Sequence, residues 1–279
     1  VNSLLTTYWL ARKFHTDPAT ACENLMDTAS GSDCSSGGME HTAVVATHRL
    51  PCLHQDSRRL ATNQYEICGL GRISYEEGLR LQEELVAQKI AGDEKNYLLL
   101  LEHEPVYTIG RTLDVSSLGE KELPHPLHRI GRGGQATYHG PGQLVAYPII
   151  DLTLIGRDLH RYLRLLEEVI IQTLALYKIE GHRREGMTGV WVDNRKIASL
   201  GVGVKKWISF HGLALNVCGD LSPFREITPC GLAGVEMTSI ERERNGFSLA
   251  LVDVAEQLAE IFEKLVFLNK CNFQLDTNY

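Results

Sequence analysis

The stretch from Arg132 to Pro148, RGGQATYHGPGQLVAYP, constrains this chain more than any other. Gly133, Gly134, Gly140 and Gly142 permit close backbone approach, so peptide N–H groups there can touch a ligand directly. Phosphate is the first ligand such a loop suggests, but the chain has neither a G-x-x-x-x-G-K-[ST] run nor a G-x-G-x-x-G opening a helix after a strand. The glycines lead instead into Leu144 to Ile150, an apolar β-rich run that reads as a buried strand. The loop therefore feeds a sheet, not a helix.

A chain of 279 residues with 43% hydrophobic content can bury a substantial core. No segment approaches 18 uninterrupted apolar residues, and no charged start leads into an apolar region and a small-residue cleavage site. Membrane spanning and secretion are not expected. The seven cysteines form no C-x-x-C pair and no zinc-type spacing, which points to a reducing compartment without a disulfide framework or a structural metal. A net charge of −7 argues against general nucleic-acid affinity. Its distribution is uneven: Leu123 to Ile150 and Asn194 to Gly219 contain no acid, only Arg129 and Arg132 in the first and Arg195, Lys196, Lys205 and Lys206 in the second. If these windows fold together they form a basic or neutral face on an acidic protein, suited to an anionic ligand or an acidic partner.

Residues 1–62 contain the small, polar TASGSDCSSGG (Thr28 to Gly38) and no sustained periodicity, and are expected to form a poorly ordered extension. Arg12 and Lys13 favour an organellar targeting reading, against which Asp17, Glu23 and Asp27 weigh. Residues 63–279 are expected to form the folded domain. Its elements are an amphipathic helix over Tyr75 to Ala91, a buried strand over Tyr97 to Leu101, an edge strand and loop in HEPVYTIGR (His103 to Arg111), and a helix from an Asp158 N-cap to Tyr177. A hairpin comes next, with Gly189 to Val192 and Lys196 to Val204 flanking an Asp193-Asn194 turn, then more β structure to Val217 and a last helix from about Leu249 to Phe267. Hairpins mixed with helices predict an α+β class: a mixed, mostly antiparallel sheet covered by helices.

Two residues could carry chemistry. Cys230, in EITPCGLAG, sits between a rigid proline and a permissive glycine outside the periodic elements, where it is either a passive thiol or a nucleophile. Lys196 opens an apolar strand; it either points at water or, partly desolvated, has the lowered pKa that lets a free amine accept a proton. His139 among its glycines and His211 before GLALN are each candidates for a core or a ligand-facing role.

RGGQATYHGPGQLVAYPIIDL, KIASLGVGV, HGLALNV and TPCG, in this order and together with HEPVYTIGR, closely resemble the lipoyl(octanoyl) transferase family, a branch of the biotin and lipoate ligase superfamily. The resemblance runs over residues 63–270. It implies a biotin/lipoate ligase-like catalytic domain in which Cys230 is the acyl-thioester nucleophile and Lys196 activates it. It implies a substrate pocket formed by Arg132, Gly133, Gly134, Gln135, Ala136, Thr137, Tyr138 and His139, by Ser199, Leu200 and Gly201, and by Gly212, Leu213 and Ala214. The implied reaction moves octanoyl from octanoyl-acyl carrier protein to a lysine of a lipoyl domain in a 2-oxoacid dehydrogenase or glycine-cleavage protein, in the cytoplasm, by a monomer, with no cofactor or metal. Alternatives are an ATP-dependent lipoate or biotin ligase, an inactive acyl-binding adaptor, and a cysteine hydrolase. The ligases need no nucleophilic cysteine at Cys230.

Overall fold

The computed structural model describes residues 65–110, 115–118, 122–228, 234–247 and 249–276, with backbone alone over 115–116 and 267–276. The expected extension 1–62, and Cys230, lie outside the described residues. Among the described residues no helix is long and apolar enough to cross a membrane.

An eight-stranded sheet carries the fold, in the order β1 (Tyr65–Ile73), β2 (Asn96–His103), β6 (Gln143–Ile149), β10 (Ile208–Asn216), β9 (Arg195–Lys205), β8 (Met187–Val192) and β7 (His182–Arg184), with the short β11 (Glu236–Met237) also paired to β9. The β1–β2 and β9–β11 pairs are parallel and the others antiparallel. A second sheet places β3 (Val106–Ile109) between β4 (Leu127–Arg129) and β5 (Thr137–His139). The architecture is the expected mixed, mostly antiparallel α+β. The HEPVYTIGR strand differs from expectation: it is fully buried as the centre of the small sheet, because Pro105 precedes the paired residues instead of interrupting them.

Helices α1 (Tyr75–Ile90), α2 (Leu159–Leu176) and α4 (Leu251–Asp276) cover the large sheet, and α3 (Ile240–Glu243) is a single turn. Asp158 caps α2 as its sequence suggests, its carboxylate accepting from the Arg161 N–H at 3.0 Å. The buried stripe of α2 is wider than the three-four spacing of its leucines: Tyr162, Leu165, Val169 and Thr173 join Leu166, Ile170 and Leu174, while Leu159 on the first turn stays exposed. This stripe and Val254, Leu258 and Phe262 of α4 pack on Leu98, Leu100, Leu144, Ala146, Leu213, Leu215, Val190 and Val192. Those strand residues alternate with the ones pointing away, so the opposite face is free to carry something else. There the sheet meets α1, where Gln82 accepts from the backbone N–H of His211 at 2.6 Å, and the small sheet.

The glycine motif bridges the two sheets. Gly133 donates its N–H to Val202 of β9, and Gly140-Pro141-Gly142 turns the chain from β5 in the small sheet into β6 in the large one. The two acid-free windows are thereby brought side by side. Arg132 and Lys196 are buried and Arg195 is ion-paired with Asp193 and Glu243, which leaves Arg129, Lys205 and Lys206 as the windows' exposed cations.

Candidate active site

On the face away from α2 and α4, a narrow cleft runs between the sheets. Its lining brings together Arg132, Gly134, Gln135, Thr137 and His139 from the glycine motif, Ser199, Leu200 and Gly201 from β9, and Gly212, Leu213 and Ala214 from β10. The empty space, mouth included, is about 460 Å³. Ser199 pairs with Ala214 and Gly201 with Gly212 across the β9–β10 ladder, so four small residues on one face make the floor. Gly201 is glycine for a reason of space: a Cβ there would lie 2.6 Å from Arg132 Cδ. Arg132 has little freedom to retreat, since its guanidinium donates to the Thr108 carbonyl and hydroxyl and to the Gly133 carbonyl. Gly201→Ala is expected to cost about 1–3 kcal/mol, seen as a melting midpoint several degrees lower; an unchanged midpoint would contradict this packing.

Three residues expected in the pocket do not line it. β5 alternates, sending Thr137 and His139 to the cleft and Ala136 and Tyr138 into a second small core with Tyr107, Leu221, Phe224, Ile227 and Met237. Gly133 spends its N–H on Val202. Four other lining residues come from elsewhere: Tyr75 at the start of α1, Ile130, Tyr147 on β6, and His211. His211 is buried and lines the cleft, with φ at 56° and its backbone N–H donated to Gln82. Tyr75 and Tyr147 carry no motif of their own, and only the fold places them beside the histidines.

Those side chains form a polar wall. His103 presents Nδ1 to the Ile73 carbonyl at 3.2 Å and Nε2 to the Tyr147 hydroxyl at 2.8 Å. A backbone carbonyl can only accept, so Nδ1 carries the proton and the Tyr147 hydroxyl donates to Nε2. His139 presents Nδ1 to Gln143 Oε1 at 2.7 Å, and its ring lies nearly parallel to that of Tyr75. Burial pushes the imidazoles down, His103 to about 4 and His139 to about 3; for His139 the neighbouring His103, the Arg132 charge and His211 add to the effect, while the Gln143 contact opposes it. Burial likewise holds the Tyr75 and Tyr147 hydroxyls protonated, raising both well above the ordinary phenol value. At neutral pH His103, His139, Tyr75 and Tyr147 are uncharged beside the Arg132 guanidinium.

Lys196 is fully buried. Strand parity alone would turn it away from the cleft, because Ser199 is an odd number of residues further on. An irregularity opposite Val190 and Trp191 corrects the phase: Ile197 and Ala198 are consecutive yet both enter the helix-side core. Trp191 lies between Val190 and Val192 of that core, so it and its partner Lys196 turn to the sheet face away from the helices, although neither side chain lines the cleft itself. Lys196 Nζ donates to the Thr188 carbonyl at 3.0 Å and stands 5.5 Å from the centre of the Trp191 ring. The stem passes Gly189, where a Cβ would come within 2.6 Å of Lys196 Cε.

Cys230 lies outside the described residues, but the chain on either side of it is anchored. Before it, Thr228 donates its N–H to Ser117, whose hydroxyl accepts from Ala136 of the glycine motif. After it, Met237 pairs with Lys196 itself. Of the described cysteines, Cys68 is buried in β1, and Cys218 has its thiol pushed up by burial and by Glu241 and Glu102.

A family model of the lipoyl protein ligase A/B catalytic domain matches residues 74–263. The chain belongs to that family. Within it, curated relatives carry the name octanoyltransferase: that of Geotalea uraniireducens is 47% identical, covering 71% of this chain and 91% of its own length. That of Citrifermentans bemidjiense is 50% identical, covering 72% and 96%. The fold is also that of solved lipoate ligases. A bipartite lipoate protein ligase from Thermoplasma acidophilum superposes with a TM-score of 0.59 at 16% identity, over 73% of this chain and 84% of that one. A lipoate-protein ligase A bound with ATP gives 0.58 at 14%, over 73% and 85%.

Proposed function

We propose that this member of the lipoyl protein ligase A/B family is an octanoyltransferase that takes octanoyl from the phosphopantetheine thioester of acyl carrier protein and delivers it to a lysine of a lipoyl domain. Cys230 is the nucleophile and Lys196 the base. Lys196 removes the thiol proton, the thiolate attacks the thioester carbonyl, and the donor's sulfur leaves with that proton from Lys196 as Cys230 becomes acylated. The acceptor lysine then attacks the acyl-enzyme: its C–N bond forms as the C–S bond breaks, and the amine's proton returns to the cysteine sulfur. Arg132, Thr137, His139, Ser199, Leu200, Gly201, Gly212, Leu213 and Ala214 contact the acyl chain and its thioester, with Gly134 and Gln135 at the loop. Gly133, Ala136 and Tyr138 support the loop from behind. The acid-free windows, side by side with Arg129, Lys205 and Lys206 outermost, suit acidic carrier and acceptor domains.

The observation that carries this reading is Lys196. A fully buried lysine beside a glycine that clears its path is costly for stability, and the cost is understandable where its amine does chemistry next to a thiol. The ligase alternative differs in its energy source. A thioester is already activated, whereas a free acid must first become an adenylate. We expect transfer from octanoyl-acyl carrier protein to a lipoyl domain in buffer stripped of ATP and magnesium, and none from octanoate with ATP, both monitored by intact-mass measurement of the acceptor. Mass gain only with free acid and ATP would replace the transferase by a ligase.

A further inference from the structure

Behind the cleft runs a chain of buried amides whose polarity can be settled atom by atom. Asn216 Nδ2 donates to the Thr238 carbonyl at 2.9 Å. That carbonyl can only accept, so the oxygen of the Asn216 amide must point the other way, where it meets Gln143 Nε2 at 2.9 Å. Gln143 Nε2 is also 3.3 Å from the Tyr138 carbonyl, a second obligate acceptor. Turning either amide over would set oxygen against carbonyl oxygen in a buried place, so both orientations are fixed. Gln143 Oε1 is therefore what faces His139 Nδ1 at 2.7 Å, and the proton between them belongs to the imidazole. Thr238, whose carbonyl anchors Asn216, gives its own N–H to the carbonyl of Lys196 at 2.9 Å.

We propose that Gln143 and Asn216 are positioning residues that lock His139 as its Nδ1–H tautomer, so that a bare Nε2 accepts a hydrogen bond from the amine attacking the acyl-enzyme. The amine's part rests on the transferase reading. His139 lines the cleft, and its ring is clamped by Tyr75, nearly parallel at 6.4 Å between centroids, and by His103, edge-on at 5.9 Å. The charged and titratable groups facing it are Arg132 from the glycine loop, His103 from β2, His211 from β10 and Tyr75 from α1. Burial, and after it His103, Arg132 and His211, oppose a second proton on the ring and outweigh the Gln143 contact, so it stays an acceptor throughout the neutral range. One N–H of the amine bonds to Nε2, which leaves the nitrogen lone pair free to attack. His139 takes no net proton in this step. Because Asn216 bonds the Thr238 carbonyl while the Thr238 N–H bonds the Lys196 carbonyl, the network is tied through one residue to the strand that carries the base.

The test uses the full chain labelled with ¹⁵N at histidine, the His139 signals being assigned by their loss in His139→Gln. Long-range ¹H–¹⁵N spectra should show the Nδ1–H tautomer in the wild type and a mixture of tautomers in Gln143→Leu. In single-turnover measurements, Gln143→Leu should form the acyl-enzyme from octanoyl-acyl carrier protein within about twofold of the wild-type rate. Its acyl transfer to a lipoyl domain should slow by about tenfold or more, the scale of one good hydrogen bond. Gln143→Glu places a carboxylate on Nδ1–H, which raises the imidazole's pKa. Its transfer step should gain an inflection absent from the wild type, with the rate recovering as pH rises and Nε2 is freed of its proton. An Nε2–H tautomer in the wild type overturns the proposal even if no variant folds. So does equal slowing of both half-reactions, or a Gln143→Glu profile identical to that of the wild type. A wild type that forms no acyl-enzyme removes the transferase reading and the amine's part with it, an outcome separate from the tautomer spectrum.

Discussion

Cys230→Ala is expected to abolish transfer, lowering the rate by about 10⁴–10⁶-fold, the range found when a covalent nucleophile is removed. Intact-protein mass spectrometry of the wild type mixed with octanoyl-acyl carrier protein should show one added octanoyl group, and Cys230→Ala should show none. The expectation is sharpened by what surrounds the two other cysteines whose side chains are described. Cys68 is enclosed within β1, out of a thioester's reach, and the Cys218 thiol is pushed up by burial and by the carboxylates of Glu241 and Glu102, which disfavours its thiolate. Cys218→Ala should therefore retain near-normal turnover. An octanoyl adduct that persists in Cys230→Ala would place the nucleophile elsewhere and end the assignment made from TPCG.

What could be read in the sequence was whatever is encoded locally. The Asp158 cap, the two-residue turn at Asp193-Asn194 and the apolar run after the glycine motif each depend on neighbours within a few residues, and each took the expected form. The three segments that line the cleft were named by their resemblance to a family, and the fold brings most of their residues onto one wall. Within the motif, treating Arg132 to His139 as one block missed that a strand alternates, which sends Ala136 and Tyr138 into another core. Strand β1 went unseen because its burial is mixed and its parallel pairing to β2 depends on the α1 crossover between them. Tyr75, His103 and Tyr147 meet only because β2 pairs with β6 under the start of α1. Separations of 28 and 44 residues leave no periodic trace. Nor does the irregularity that turns Lys196 to the cleft's face, since its cause is the pairing with β8.

Lys196→Met is expected to keep the fold and lose the reaction. Methionine matches the lysine stem in length and flexibility, so it can run past Gly189 and lie against Trp191 as the lysine does. It removes the burden of enclosing a polar amine in the interior, at the loss of the contact to the Thr188 carbonyl, so the melting midpoint should stay level or rise. Turnover should nevertheless fall by roughly 10²–10⁴-fold, the usual consequence of removing a general base. Lys196→Arg separates charge from proton transfer: a guanidinium stays positive but cannot be deprotonated in a protein, so it should be as inactive as the methionine variant. Its bulk against Gly189 and Trp191 makes it the less stable of the two. The informative pattern is thus an inactive, stable Lys196→Met beside an inactive, less stable Lys196→Arg. If Lys196→Met turned over normally, the base would have to be another group, and the buried lysine would be reduced to a packing residue whose desolvation serves no chemistry. If its activity fell only in proportion to a lowered melting midpoint, the role would be structural. Stability kept while the rate collapses is the outcome that ties this strand-opening lysine to the thiol of Cys230.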